Sequence, residues 1–289
     1  MLRPWFELVR LPAVFTAPSD VLAGTALAAA AGASVGLAPA ALLFLTSALI
    51  YCAGMAANDL CDAAVDAHER PGRPIPSGRV SRGGVWALVL ALQAAGIGLA
   101  LLVGRDAGLV AAGVVAATWL YNAGLKNTVL GPPTMGLCRY GNAILGLAVA
   151  GLPPLGWLWA VPATTLLYVT ALTFTSRREV AGTTAADLRP SALALFVLAA
   201  APAVWACWMP APWAAVGILL PLAWLAGPLR RALATPSPGP VRGLVMAGIY
   251  GIAMVNGVLA AMAGGYVQAA IAVGLLVPGR FFGRWFYAT

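Results

Sequence analysis

The stretch NDLCDAAVDAHERPGRPIPSGRVS, Asn58 to Ser81, holds four of the chain's nine carboxylates and its single histidine. Asp59, Asp62, Asp66 and Glu69 fall within eleven residues, and Arg70, Arg73 and Arg79 follow them. On either side lie apolar runs of about twenty residues, long enough to cross a bilayer as helices. Charge is scarce elsewhere: 61% of the 289 residues are hydrophobic and 9% are charged, and mean hydropathy is +0.88. A water-soluble domain carries about 25% charged residues. The composition excludes a soluble enzyme and predicts a polytopic membrane protein.

Working outward, apolar segments lie at about 12–32, 38–57, 84–103, 107–125, 134–151, 155–175, 191–209, 212–228, 242–262 and 265–279. No alternating pattern suggests a barrel, so helices must satisfy the backbone in lipid. The expectation is an all-α fold: one membrane-embedded domain over 1–289, a bundle of nine or ten transmembrane helices, the short last segment setting the count. With the N-terminus inside, fifteen of the seventeen Lys and Arg lie in or beside the inner connections. Arg105 lies outside, and Arg139 lies about a turn and a half into the fifth helix from its inner end. This asymmetry predicts an N-terminus and polar loops in the cytoplasm. It also reads the net charge of +8 as a topology signal, not a nucleic-acid footprint. The four cysteines show no metal or disulfide spacing and read as small packing residues. Trp205, Trp208 and Trp213 suit an outer interfacial belt, and Trp285 with Tyr287 an inner one.

If the second helix continues through Glu69, then Asn58, Asp59, Asp62, Asp66 and Glu69 share an arc of ~100°. Carboxylates so close repel unless cations lie between them. Oxygen ligands of this kind suit Mg²⁺, which keeps waters and shares its shell with substrate phosphates. Pro71, Pro74 and Pro76 end the helix and stiffen the loop. Arg70, Arg73 and Arg79 are then expected to face phosphate oxygens.

Asn58-Asp59-x-x-Asp62-x-x-x-Asp66 with Arg70-Pro71-x-Arg73-Pro74-Ile75-Pro76-Ser77-Gly78 resembles the first Asp-rich motif of the UbiA superfamily of membrane prenyltransferases. The resemblance covers nearly the whole chain. It implies a helical bundle with a cytoplasmic polar cavity, Mg²⁺ as cofactor, an isoprenoid diphosphate donor and a lipophilic, aromatic acceptor met among membrane lipids. It implies that Asn58, Asp62 and Asp66 serve metal and diphosphate, and that Tyr121 and Lys126 match the family's Tyr and Lys after the fourth helix. Three further stretches, Thr16–Gly24, Met135–Asn142 and Ser176–Val180, resemble the EboC-like branch, which is bacterial and linked to secondary metabolism; the resemblance implies a bacterial inner (plasma) membrane.

The family's second motif usually places two or three aspartates after the sixth helix, ahead of a glycine. Here Ser176-Arg177-Arg178-Glu179-Val180-Ala181-Gly182-Thr183 carries one acid. Aligned on Gly182, Glu179 is expected to be a catalytic and metal residue. A helical reading groups Ser176, Glu179, Thr183 and Asp187 within ~80°, with Asp187 reaching the cavity. Arg177 and Arg178 supply positive charge where a second Mg²⁺ would otherwise sit. On this reading Glu179→Gln abolishes Mg²⁺-dependent turnover.

Asp20 lies inside the first helix, where an unpaired acid costs at least ~2.5 kcal/mol. Arg139 and Asn142, at i and i+3 of the fifth helix, are its candidate partners. Asp20, Tyr121 and Asn142 are read as acceptor or cavity residues, and Arg73, Lys126, Arg139 and Arg177 as diphosphate contacts. A purely structural Asp20–Arg139 pair remains open. Three functions remain open as well: prenyl transfer, a membrane terpene cyclase using the same site on one substrate, and a non-catalytic relative that binds or helps export a lipophilic metabolite.

Overall fold

The computed structural model describes residues 2–179 and 183–286. Val180, Ala181, Gly182 and Tyr287, used in the sequence reading, lie outside the described residues. The architecture is all-helical. In chain order the main helices are α1 Ala17–Ala30, α2 Leu37–Glu69, α3 Arg82–Val103, α4 Arg105–Leu120, α5 Gly131–Leu147, α6 Ala163–Ser176, α7 Ala185–Leu198, α8 Leu219–Ala234, α9 Pro238–Met262, α10 Tyr266–Gly274 and α11 Leu276–Phe282.

Eight spans among the described residues are long and apolar enough to cross a membrane, where nine or ten were expected. The two expected segments outside this set are the fifth and the tenth. The fifth is the 17-residue α5, whose Arg139, Asn142 and paired prolines lower its apolar character. The tenth is covered by the short apolar stretch Tyr266–Phe282, made of α10 and α11. Both pack on the bundle: α5 lies against α1, α4 and α6, and α10 against α9 and α1.

Helix limits follow local chemistry. α2 runs unbroken for 33 residues, about 50 Å at 1.5 Å per residue. That exceeds the ~30 Å of hydrocarbon, so its acidic turns carry past the apolar layer. Pro71 blocks further extension. Ser81 caps α3, its Oγ accepting from the Gly84 N–H at 3.1 Å, which satisfies one orphan donor. α1 and α9 form the centre. Their spans bury 83% of their apolar windows, against 28% for α3 and α4 and 22% for α7 and α8. The outer helices turn Leu90, Leu102, Leu109, Val197 and Leu219 outward, as a lipid-facing surface requires. The four cysteines are free, Cys61 and Cys207 exposed and Cys52 and Cys138 half-buried.

One close approach fixes the centre. A Cβ on Gly146 would lie 2.8 Å from the Val21 Cα and would strike the Val21 carbonyl. A Cβ on Gly24 would lie 2.7 Å from the Leu147 nitrogen and 2.9 Å from the Gly146 Cα. Small residues let membrane helices meet backbone to backbone, and this contact carries α5 against α1. Gly146→Val is expected to destabilise the bundle by about 1–3 kcal/mol through overpacking. Thermal unfolding in detergent, read against wild type, checks it; an unchanged midpoint would contradict the packing.

Candidate functional site

A cavity of about 440 Å³ opens at the end of the bundle that carries the 58–81 stretch. Asn58, Asp62, Arg70, Arg73, Lys126 and Arg177 line its polar part, and Ile50, Met55, Val114, Val169, Leu172, Val245 and Ile252 its apolar part.

The continuous α2 places Asn58, Asp59, Asp62 and Asp66 toward the protein, but not equally toward the cavity. Asp62 and Asn58 line it. Asp66 does not. It is buried, and Arg73 Nη1 donates to its Oδ2 at 2.6 Å and to Asp59 Oδ1 at 3.3 Å. The proline-rich loop folds back under α2, so Arg73 covers the carboxylate expected to bind metal. Arg79 also departs from expectation. It pairs with Glu7 at 2.7 Å and donates to the Gly72 carbonyl at 2.7 Å, clasping the N-terminal helix Arg3–Leu8 to the loop. Glu69 and His68 are exposed.

Lys126 reaches Asp62 because α4 ends in a π turn, Tyr121–Leu125. The Lys126 N–H donates to the Tyr121 carbonyl at 2.9 Å, and the widened turn carries the side chain across the cavity. Turns of this kind recur at functional sites. The Lys126 ammonium bonds directly to Asp62 Oδ2. The Asn58 amide sits at a crossing of donors and acceptors, and its two ends can exchange places. One orientation accepts from Arg10 Nη2 at 3.3 Å and donates to Asn122 at 3.0 Å. The other accepts from Lys126 Nζ at 3.0 Å and donates to Asp62 Oδ2 at 3.3 Å.

Asn58 and Asp62 are therefore adjacent oxygen donors facing a cavity. Among the described residues no group of three or more His, Cys, Asp or Glu could hold a metal. A cation here would complete its shell from water and a bound anion, which is how Mg²⁺ is commonly held beside phosphates. The donor set fits that ion.

The second polar segment does not build the expected helical stripe. α6 stops at Ser176, and Thr184 starts α7 with a capping box. Thr184 Oγ1 donates to Asp187 Oδ2 at 2.7 Å, and the Asp187 N–H donates to Thr184 Oγ1 at 3.2 Å. Asp187 thus satisfies a helix end and is exposed away from the cavity. Glu179 is likewise withdrawn, accepting from Arg242 Nε at 2.6 Å. Among the described residues, Ser176 and Arg177 are what this segment offers the cavity. Arg177 Nη2 donates to the Lys126 carbonyl and, at 2.7 Å, to the Thr128 carbonyl.

Deeper in, Arg139 and Asn142 line the cavity, while Asp20 lies behind them with no solvent exposure. Asp20 Oδ2 accepts from Arg139 Nη1 at 3.1 Å and from Asn142 Nδ2 at 3.0 Å. Its Oδ1 accepts from Asn256 Nδ2 at 2.6 Å. Asn142 also donates to Ser47 Oγ at 2.8 Å, and Asn256 accepts from Thr165 Oγ1 at 2.9 Å. One carboxylate thereby joins α1, α2, α5, α6 and α9. Three donors meet its two oxygens and Asp20 does not line the cavity, so of the two expected roles the geometry favours the structural pair with Arg139, which positions the cavity floor. Arg139 lies over the Tyr51 ring at 5.6 Å, so the polar floor of the cavity is Arg139, Asn142, Ser47 and Tyr51.

Tyr121 lines the cavity beside Asn122. Sequence reasoning missed Arg10, Tyr51, Asn122 and Asn256. Asn256 carried a signal, a lone amide in an apolar helix. Arg10 carried none. It enters the cavity from a left-handed turn (φ 49), a conformation that costs a non-glycine residue about 1–3 kcal/mol, and it lies 3.7 Å from Asp59.

Two outcomes follow. Asp20→Asn leaves the Arg139 guanidinium without its buried counter-charge and turns an N–H toward at least one of the three donors, and is expected to cost about 3–5 kcal/mol, read as lost thermal stability. Arg139→Gln in the same chain removes one of those donors and should restore part of it; no restoration would contradict the pairing. Glu179→Gln, by contrast, breaks a largely exposed pair worth at most ~1 kcal/mol. It should leave turnover intact, and loss of turnover would return Glu179 to the site.

The UbiA prenyltransferase family model matches residues 20–240. Digeranylgeranylglyceryl phosphate synthase of Methanopyrus kandleri is 35% identical over 158 residues, 55% of this chain and 57% of that relative. The chain thus spans little more than half the length of this curated relative. The apo structure of a UbiA homolog from Aeropyrum pernix K1 superposes with a TM-score of 0.67 at 20% identity, covering 86% of this chain and 96% of that one. A UbiA homolog from Archaeoglobus fulgidus bound to GPP and Mg²⁺ superposes with a TM-score of 0.57 at 14% identity, covering 95% and 99%. Both likenesses concern the fold. With the family model running from the buried Asp20 to the start of α9, well over half of the chain, this protein belongs to the UbiA prenyltransferase family.

Proposed function

We propose that the protein transfers a prenyl group from an isoprenoid diphosphate to a lipophilic acceptor within the membrane. The observation that carries this reading is one cavity with two chemistries: oxygen donors and cations at its mouth, an apolar wall within. The donor's diphosphate sits against Asn58, Asp62, Lys126, Arg73 and Arg177, and its tail lies along Ile50, Met55 and Leu172.

Ionisation breaks the bond between the allylic carbon and the diphosphate oxygen, and the electron pair leaves with the diphosphate. An electron pair of the acceptor then bonds to the cation, and the acceptor loses a proton. Mg²⁺ held by Asn58 and Asp62 would withdraw charge from the leaving group. Lys126 and Arg177 stabilise that charge as preorganised donors. The apolar wall keeps water from the cation. That the Archaeoglobus fulgidus homolog holds GPP and Mg²⁺ supports the same pairing here.

We assign the mouth to the cytoplasmic side of a bacterial inner membrane, supported by the arginine asymmetry. The EboC-like placement and a role in secondary metabolism rest on the Thr16–Gly24, Met135–Asn142 and Ser176–Val180 stretches. The acceptor class is the finer part of this reading. An aromatic acceptor, expected from the resemblance, competes with a glyceryl phosphate of the kind the Methanopyrus kandleri relative's name specifies.

Purified protein with Mg²⁺, prenyl diphosphates of increasing length and each acceptor class should release diphosphate and form a prenylated product. Removing the metal with a chelator should stop it, and Asp62→Ala should lower the rate by about a hundredfold or more. Full activity of Asp62→Ala would sink the reading. A cyclic product from donor alone would favour a terpene cyclase. Donor binding without release would favour a non-catalytic binder, the reading that the withdrawn Glu179 motivates.

A further inference from the structure

We propose that the site engages its diphosphate with a single divalent cation on the Asn58–Asp62 wall, and that the Arg177 guanidinium acts in place of a second one. The inference rests on the prenyl diphosphate reading and adds to it how the anion's charge is met.

A bound diphosphate brings several negative charges into a cavity of low dielectric, and each must meet a cation or a donor. On the α2 wall, Asn58 and Asp62 offer oxygens to one cation. Among the described residues the wall at the end of α6 offers the cavity no carboxylate. Glu179 is held by Arg242 at 2.6 Å, Asp187 is held in its helix cap, and Val180, Ala181 and Gly182 carry no acidic side chain. Among the described residues a second cation would find no carboxylate ligand there.

What that wall presents is Arg177. Its Nη2 is anchored on the carbonyls of Lys126 and Thr128, and its face lies over the Phe174 ring at 5.9 Å. The other guanidinium N–H groups remain for the cavity that Arg177 lines. A planar fork fixed in this way suits paired phosphate oxygens. Gly131 makes the placement possible. A Cβ there would lie 2.5 Å from Arg177 Nη2 and 2.6 Å from the Lys126 carbonyl. Arg177 also braces the turn that carries Lys126 to Asp62, so charge from α6 and the cation wall on α2 are mechanically linked.

The test uses the full chain in detergent with inorganic pyrophosphate as probe and Mn²⁺ as the cation. Electron paramagnetic resonance counts bound Mn²⁺ as pyrophosphate saturates. One pyrophosphate-dependent Mn²⁺ per chain is expected, and two would overturn the inference while leaving the prenyl diphosphate reading intact. Arg177→Gln should weaken pyrophosphate binding about tenfold or more with the Mn²⁺ count unchanged, and Arg177→Lys should recover part of the loss. Gly131→Ala, which keeps the arginine but displaces it, should weaken binding in the same direction. Unchanged affinity in both Arg177→Gln and Gly131→Ala would overturn the role of Arg177. If the wild-type chain binds neither pyrophosphate nor Mn²⁺, this inference and the reading beneath it both fail.

Discussion

The bundle depends on one buried charge. Asp20 has no contact with solvent, and a carboxylate in that position is tolerable only if its charge is paired and both oxygens are hydrogen-bonded. Arg139, Asn142 and Asn256 donate to them. Because these donors come from α5 and α9, the need to satisfy one acid fixes how three helices sit. The glycine contact between α1 and α5 brings the backbones close enough for the bonds to form. The same bonds hold Arg139 and Asn142 at the cavity floor. A requirement of stability thus sets the shape of the site.

The mouth obeys a second constraint, the neutralisation of like charges. Asp59, Asp62 and Asp66 are close along one helix, and each is met by at least one cation: Arg10 and Arg73 for Asp59, Arg73 for Asp66, Lys126 for Asp62. Arg73 draws two acids away from the cavity and leaves Asp62 as the carboxylate that faces it. The π turn of α4 and the anchored Arg177 then decide where Lys126 lies. The reactive wall is therefore assembled from α2, α4 and α6, three elements distant in sequence.

Much of this was legible in residue order. The apolar segments, the continuation of α2 through Glu69 and the break at Pro71 follow from composition and local sterics. Asn58 and Asp62 were readable from helical spacing, because a single helix carries both. The helical stripe expected across Ser176–Asp187 is not built for a related reason: Thr184 and Asp187 satisfy a helix start, and a capping box competes with continuation of the preceding helix. The Thr-x-x-Asp pattern was available as a local signal.

Residue types and their periodicity alone determined that the chain crosses a membrane as helices and that one helical face carries oxygen donors beside a basic loop. Those properties reside in consecutive residues. Which acids face the cavity was decided only by tertiary structure, since Arg73, Arg242 and Lys126 select their partners across loops and helices. The same holds for Asp20, whose role depends on donors 119 to 236 residues away. Charge pairing acts through space, and spacing along a helix cannot report where a distant cation will lie.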